Sequence, residues 1–81
     1  MEMNKIYYAQ FLITRCVSGV RQPELRWAKV DGVLPVDHVV HDGTLIINQV
    51  SLEDAGVYEC IARGAYRTTR SRMELVILGL Y

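Results

Sequence analysis

Two cysteines are the residues whose type and spacing say most about the chemistry of this chain. Cys16 and Cys60 lie 44 positions apart, too far for the closely spaced pairs that hold a zinc ion. A long-range disulfide suits this spacing better, and in the chain-entropy model it stabilises so small a domain by roughly 3 to 4 kcal/mol. Such a bond requires an oxidising compartment. The alternative is a pair of reduced, buried thiols in a cytosolic domain.

Serines and paired carboxylates do not form a recognisable catalytic arrangement. Ser18, Ser51 and Ser71 fall in turns or on the last strand, and no histidine lies where it could act as their base. Glu53-Asp54 precedes a strand, where bonding to turn amides explains a carboxylate more simply. No glycine-rich phosphate loop precedes a helix. We therefore expect no enzymatic activity, no catalytic residue and no cofactor.

Two histidines with acidic neighbours raise the question of a metal site. His38 and His41 are flanked by Asp37 and Asp42. On an extended segment, however, side chains three positions apart point to opposite faces of the strand. The two imidazoles would then not converge on one ion. We expect no metal to be bound.

Arginines near the end of the chain are the pattern that most favours a binding function. Four of them fall within ten positions that contain no acid: Arg63, Arg67, Arg70 and Arg72. If the last two face outward on one strand, Arg63 would lie beside them and Arg26 one strand beyond. Guanidinium groups in such a stripe grip oxyanions bidentately. The ligand would be a sulfated glycosaminoglycan or an acidic protein surface.

The same region also has an interpretation without function. Glu59 and Glu74 would pair with the arginines across the strands, and the face would simply be solvated. Tyr66, at the expected tip of the last hairpin, is a candidate contact for a protein partner because exposed tyrosine and arginine are favoured in interface cores. The alternative for Tyr66 is an ordinary exposed loop aromatic.

Length and composition predict one small globular domain over residues 1–81. Of the 81 residues, 51% are hydrophobic and 22% are charged, and the formal net charge is zero. We therefore expect no general attraction to nucleic acid or to an acidic membrane. Apolar runs end well before the roughly 18 residues of a spanning helix, so no membrane insertion is expected. Met1 to Tyr8 lacks the apolar core of a signal peptide, so a secreted form would need a signal upstream, in a larger chain.

Alternation with a period of two indicates β-strands along the whole chain. The positions that would share an inward face are, strand by strand, Leu12, Thr14 and Cys16; Leu25 and Trp27; Leu45 and Ile47; Tyr58, Cys60 and Ala62; and Met73, Leu75 and Ile77. Asp31-Gly32 and Asp42-Gly43 are turn dipeptides, since Asp tolerates and Gly favours positive φ. Leu34-Pro35 between them suggests an extended or edge segment. Short strands separated by turns predict an all-β sandwich.

The spacing of an indole and a phenol predicts how two sheets would face each other. Trp27 follows Cys16 by eleven residues, on the next strand and on the same face, so its ring can pack on a bridge between the sheets. In the run Asp54-Ala55-Gly56-Val57-Tyr58-Glu59-Cys60 the tyrosine precedes the cysteine by two residues. There its ring can lie in the core while its hydroxyl satisfies a backbone group at the corner. The expected core residues are Trp27, Leu45, Ile47 and Tyr58.

The sequence resembles the immunoglobulin superfamily, and specifically its intermediate, or I-set, domains. The resemblance rests on the two cysteines, Trp27 and the Asp54-to-Cys60 run, together with Pro23, Leu34-Pro35 and the Asp42-to-Ile47 segment. The resemblance covers nearly the whole chain. It implies a Greek-key β-sandwich with one inter-sheet disulfide. Only 18 positions separate Trp27 from Leu45, too few for the additional strand pair of variable-type domains.

Within that family, the sequences Leu-Pro, Asp-Gly-Thr-Leu-x-Ile and Tyr-Glu-Cys-Ile-Ala are most similar to the tandem immunoglobulin modules of perlecan-type basement-membrane heparan sulfate proteoglycans. That resemblance implies a secreted module of the extracellular matrix, with tandem neighbouring domains, that binds other matrix or cell-surface proteins. Two alternatives stay open. One is a module of a cell-adhesion receptor, and the other is a mechanical spacer in a muscle giant protein of the cytoplasmic sarcomere.

The chain departs from the family pattern at three places. Thr14 stands where a large aliphatic residue is usual, so one core layer should be underfilled or shifted. Only fifteen residues precede Cys16, so the first strand should be shortened or lost. His38 and His41 occupy the region where the family commonly has an arginine that pairs with the corner aspartate, which puts an ion pair of Asp54 in doubt.

Overall fold

Within the described residues, seven strands form two sheets. The computed structural model describes residues 4–8, 11–16, 19 and 23–77. The strands are β1 (Asn4–Tyr8), β2 (Leu12–Arg15), β3 (Glu24–Lys29), β4 (Val39–His41), β5 (Thr44–Ile47), β6 (Gly56–Arg63) and β7 (Thr68–Ile77), with a 3₁₀ turn at Leu52–Asp54. The larger sheet has the order β1-β7-β6-β3 and the smaller one β2-β5-β4. The prediction of an all-β sandwich is confirmed.

The first strand is present, although it is short. β1 pairs with β7 in parallel over five positions, from Asn4 opposite Met73 to Tyr8 opposite Ile77. The other strand pairs in the described ranges are antiparallel. The strand is thus shortened and not lost, because the few residues before Cys16 must supply both β1 in the larger sheet and β2 in the smaller one.

Inward-facing rows of the two sheets meet in a continuous apolar core. Its members are Leu12, Leu45, Ile47, Tyr58, Met73 and Leu75. Burying one such side chain stabilises the fold by about 1.5 to 3 kcal/mol. Thr14 lies half-buried opposite Leu45. Trp27 packs against the cluster and stays half-buried, because among the described strands β3 has a neighbour on one side only.

A covalent link joins the sheets beside this core. Cys16 follows β2 of the smaller sheet and Cys60 lies in β6 of the larger one, and the two form a disulfide with their Cα atoms 5.9 Å apart. Both residues are buried, at 8% and 1% exposure. The predicted inter-sheet disulfide is therefore confirmed.

The two Asp-Gly dipeptides occupy turns, although they differ in backbone conformation. Asp42 and Gly43 have φ of 49° and 78° and form the two-residue connection between β4 and β5, the conformation that suits the twist of a hairpin. After β3 it is Asp31 that takes positive φ, at 59°. Leu34-Pro35 lies between β3 and β4 outside any strand. Over the described ranges, the structure contains no helix with the length and apolarity that a membrane span requires.

Candidate binding face

The outer face of the larger sheet brings arginines from three strands together. Its end near the β6–β7 hairpin forms a shallow depression with a volume of about 270 Å³. The lining residues are, in one row across β3, β6 and β7, Arg26, Ile61 and Arg70, and in the next row Glu24, Arg63 and Thr68. We call these six residues the arginine depression. Arg26, Arg63 and Arg70, all predicted partner-binding residues, share this site.

Glu59 divides the predicted stripe, because it engages Arg72. Glu59 is a buried residue with a side chain that is 11% exposed, and its Oε2 accepts a hydrogen bond from Arg72 Nε at 2.9 Å. Arg70 Nη1 lies 3.9 Å from the other carboxylate oxygen. A buried carboxylate needs such a partner, since an unpaired charge would be costly there. Arg72 therefore belongs to a cross-strand ion pair on the sheet and lies outside the arginine depression.

The arginines of the depression itself are held less firmly than Arg72. Arg26 Nε lies 3.6 Å from Glu24 Oε1, and both side chains are well exposed. Arg63 forms no ion pair with any residue that the structure describes. Glu74 pairs with Lys5 on β1, at 3.8 Å, and not with an arginine. The interpretation in which acidic residues pair with the arginines across the strands therefore holds for Arg72, which pairs with Glu59. It does not hold for Arg63.

Tyr66 and Arg67 lie at the tip of the hairpin, beyond the depression. The amide of Gly64 donates to the carbonyl of Arg67 at 2.8 Å and closes a tight loop between β6 and β7. The Tyr66 side chain is fully exposed. Arg67 is exposed too and reaches the Gly19 carbonyl through Nη2 at 3.5 Å. The tip therefore presents an aromatic ring on a short connection.

The opposite end of β6 holds the tyrosine corner. Tyr58 is completely buried, and its hydroxyl donates to the Asp54 carbonyl at 2.6 Å. Burial of the phenol, with a smaller contribution from the Asp54 carboxylate, raises the pKa of Tyr58 to about 12. The Asp54 carboxylate itself accepts from the Ser51 amide at 2.9 Å. A serine thus satisfies the aspartate for which the family commonly supplies an arginine.

A lysine from β3 closes this corner. Lys29 Nζ donates to the Glu53 carbonyl at 2.7 Å and lies 5.7 Å from the centre of the Tyr58 ring, within the range of a cation–π contact. Its chain passes close to Gly56, where a Cβ would lie 3.2 Å from Cε of the lysine. Gly56, with φ of 141°, leaves room for this approach.

One carbonyl connects the indole to the disulfide region. The Gly43 carbonyl accepts from Trp27 Nε1 and from the Cys16 amide, each at 3.0 Å. Trp27 is the register partner of Cys60 across β3 and β6. The ring is therefore held beside the inter-sheet link by its hydrogen bond as well as by packing.

The histidines do not converge on one point. His38 Nδ1 lies 2.6 Å from the Pro35 carbonyl, whereas His41 Nε2 lies 3.3 Å from the Asp42 carboxylate. Among the described residues, no three histidine, cysteine or acidic side chains are grouped as a metal site would require. Of the serines considered as nucleophiles, Ser51 serves the corner, Ser71 lies on β7, and Ser18 falls outside the described residues.

Sequence reasoning missed several contributors to these sites. Thr68, Ile61 and Glu24 line the arginine depression. The two-residue alternation that places Arg70 and Arg72 on one strand face also places Thr68 there. The same alternation places Glu24 on the face of Arg26, so the sequence pattern could have indicated both residues. The contact of Lys29 with the corner has no such signal, because it joins residues 24 positions apart.

The chain belongs to the immunoglobulin superfamily. Residues 9–77 match the family described as Immunoglobulin I-set domain. The resemblance inferred from the cysteines, the indole and the tyrosine corner is therefore confirmed.

Similar proteins include contactin-1 and a basement membrane proteoglycan. Contactin-1 of Rattus norvegicus is 41% identical over 66 residues, which cover 80% of this chain and 6% of that protein. The basement membrane proteoglycan of Caenorhabditis elegans is 39% identical over 57 residues, covering 70% of this chain and 2% of the relative. The predicted similarity to basement-membrane proteoglycan modules is thus confirmed. The chain spans only a small part of the length of both relatives.

A solved structure supports the fold. The neural ectodermal development factor IMP-L2 superimposes with a TM-score of 0.81 at 22% identity, covering 93% of this chain and 40% of that one. At this identity the similarity concerns the sandwich alone.

Proposed function

We propose that residues 1–81 are one non-catalytic, protein-binding domain of a larger extracellular protein, and specifically a module of a basement-membrane proteoglycan. Three observations support this proposal. The chain is an I-set domain, it has a relative named for the basement membrane, and its disulfide suits an oxidising compartment. In such a protein the domain would be secreted and flanked by tandem neighbours.

The hairpin tip carries the proposal, because it offers a partner an aromatic ring on a short loop. Tyr66 is fully exposed, and the Gly64–Arg67 hydrogen bond restricts the loop. An exposed tyrosine buries a large area at low conformational cost when a partner covers it. Tyr66, with Arg67 beside it, is therefore the contact that we assign to a matrix or cell-surface protein.

A module of a cell-adhesion receptor is the second candidate. It is favoured by the similarity to the solved N-terminal Ig domains of the Down Syndrome Cell Adhesion Molecule, with a TM-score of 0.73 at 25% identity, covering 93% of this chain and 11% of that one. Both candidates use the same surface in a binding role. A mechanical spacer of the sarcomere fits less well, because a disulfide is rare in the cytosol.

The test uses the purified, oxidised domain immobilised on beads. Basement-membrane extract and detergent-extracted cell-surface protein are passed over it, and retained proteins are identified by mass spectrometry. We expect a matrix protein among them, bound roughly 30-fold more weakly by Tyr66→Ala, as for a hot-spot residue. Val36→Ala is the matched control, since Val36 is as exposed and lies near the corner, at the other end of β6.

Two results would count against the proposal. Retention of no matrix or cell-surface protein, by a domain that is folded and oxidised, would remove the binding role. Equal affinity of wild type, Tyr66→Ala and Val36→Ala for the captured protein would remove the hairpin tip as the contact surface.

A further inference from the structure

We propose that the arginine depression binds a sulfated polysaccharide, a ligand class distinct from the protein partner of the hairpin tip. The depression lies on the sheet face, whereas Tyr66 lies on the loop beyond it. Its lining combines three guanidinium groups with one carboxylate, one threonine hydroxyl and one aliphatic side chain, so positive charge is in excess. This combination suits a polar, oxyanion-bearing ligand.

Sheet geometry sets the spacing of the three guanidinium groups. Arg26 and Arg70 lie in one cross-strand row with Ile61 between them, so their Cα atoms are two strand spacings, or about 10 Å, apart. Arg63 is two residues further along the middle strand, roughly 7 Å from that row. Three long side chains rooted in this triangle can converge on one oxyanion or hold neighbouring ones along a chain.

The charge balance leaves these guanidinium groups able to accept a ligand. Arg63 has no carboxylate partner among the described residues. Arg26 is held by Glu24 only at 3.6 Å, with both side chains largely in water, where an ion pair contributes little. Glu59 already takes the short hydrogen bond from Arg72, and its contact with Arg70 is long, at 3.9 Å. An entering sulfate would therefore compete with weak interactions.

The lining favours a polysaccharide over a protein or a nucleic acid. Interface cores between proteins are rich in aromatic residues and methionine as well as arginine, and of these the described lining contains arginine alone. For the same reason there is no ring on which a base could stack, as proteins that bind single strands provide. A linear sulfated chain carries repeated oxyanions on a polar backbone, which matches an open depression edged with guanidinium forks.

The net charge of the chain makes the test specific. Since the formal net charge is zero, the domain has no overall attraction for a polyanion, and binding must come from a local cluster. The experiment measures the affinity of the oxidised domain for a size-defined heparin oligosaccharide, and its elution from immobilised heparin. Arg63→Gln and Arg70→Gln are the test variants. Arg15→Gln is the matched control, because Arg15 is an exposed arginine on the smaller sheet.

We expect each test variant to weaken heparin binding by about tenfold, the usual effect of losing one charge-assisted contact, while Arg15→Gln leaves it unchanged. Thermal unfolding checks that each variant is folded. Equal weakening by all three variants, or by none, would overturn the proposal. Polyglutamate or single-stranded DNA of similar charge that binds as tightly as heparin would also overturn it, in favour of another partner class.

The same variants separate this proposal from the protein-binding role. Tyr66→Ala should retain heparin affinity and lose the captured protein. Arg63→Gln should do the reverse. If Tyr66→Ala keeps its affinity for the captured protein, the protein-binding role of the hairpin tip is wrong. If Arg63→Gln keeps its affinity for heparin, the polysaccharide proposal is wrong.

Discussion

Tyr58 and Tyr66 show how place decides the role of one residue type. The first is buried with its hydroxyl on the Asp54 carbonyl, and the second is fully exposed at the hairpin tip. The corner hydroxyl donates to a backbone carbonyl at the end of the adjoining turn, and so helps to satisfy the hydrogen-bonding groups of the corner. The exposed phenol is available to a partner. The two tyrosines therefore serve as controls for each other.

Replacing the buried phenol should destabilise the domain. Tyr58→Phe removes the 2.6 Å hydrogen bond to Asp54 and keeps the ring, so we expect the free energy of unfolding to fall by about 1 kcal/mol. Urea denaturation of the oxidised protein measures it. Tyr66→Phe should change the value by less than about 0.5 kcal/mol, as is usual for surface positions. Equal stability of the two variants would mean that the corner bond contributes nothing.

Alkaline pH should act through the same hydroxyl. Its pKa is raised from 10.0 to about 12 in the folded protein, so the folded state holds the proton more tightly than the unfolded state. The resulting stabilisation is complete below pH 10 and is lost as the pH rises towards 12. We expect the unfolding free energy of wild type to decline over this window more steeply than that of Tyr58→Phe. Parallel curves for the two proteins would contradict the assignment.

Sequence predicted the residues whose partners are close along the chain or fixed by the family pattern. Tyr58 and Asp54 are four positions apart, and their hydrogen bond could be anticipated. The pairing of Arg72 with Glu59 is one of two interpretations that the sequence leaves open, because its occurrence depends on the strand register and on the burial of the carboxylate. Lys29 at the corner was not anticipated for the same reason.

The β4–β5 hairpin positions residues of both sheets through its turn. The Gly43 carbonyl accepts from Trp27 and from Cys16, so the conformation of this turn determines where the indole and the first half-cystine lie. Positive φ at Asp42 and Gly43 gives the hairpin a conformation that few residue pairs adopt.

A side chain at Gly43 should therefore be costly. Gly43→Ala places a Cβ at φ of 78°, 2.5 Å from Cδ1 of Leu25, and we expect a loss of about 1 to 2 kcal/mol, since the left-handed conformation alone costs that much. Thermal or urea unfolding measures it. At Gly32, which lacks positive φ, the nearest atom to a new Cβ lies 3.5 Å away on a flexible lysine. Gly32→Ala should be close to neutral, and a comparable loss there would refute the argument.

At the level of elements, the two-residue alternation predicted which side chains of each strand face inward. It did not predict which strands are neighbours in a sheet. The row of Arg26, Ile61 and Arg70 depends on β3 and β7 flanking β6, which the order of strands along the chain does not state. The outcome for β1 was likewise open, because a five-residue segment carries little periodicity. Its pairing with β7 is a contact between the two ends of the chain, and local pattern cannot specify it.

At the scale of the whole molecule, the disulfide is the connection that spans the core. It closes a loop of 44 positions between the smaller and the larger sheet. We expect the double variant Cys16→Ala, Cys60→Ala to lose roughly 3 to 4 kcal/mol of unfolding free energy in urea. Wild type in the presence of a reductant is the control and should lose a similar amount. A loss below about 1 kcal/mol in both would mean that the sandwich is stable without the link.

The parallel pairing of β1 with β7 has a mechanical consequence. A load applied in opposite directions at Asn4 and Ile77 runs along both strands, so their ladder bonds are strained in shear and must yield together. A load applied at Asn4 and Met73, which are register partners at one end of the ladder, would peel the bonds apart one by one. Single-molecule pulling should therefore give a higher rupture force through the first pair of attachment points than through the second, and equal forces would show that this ladder does not bear the load.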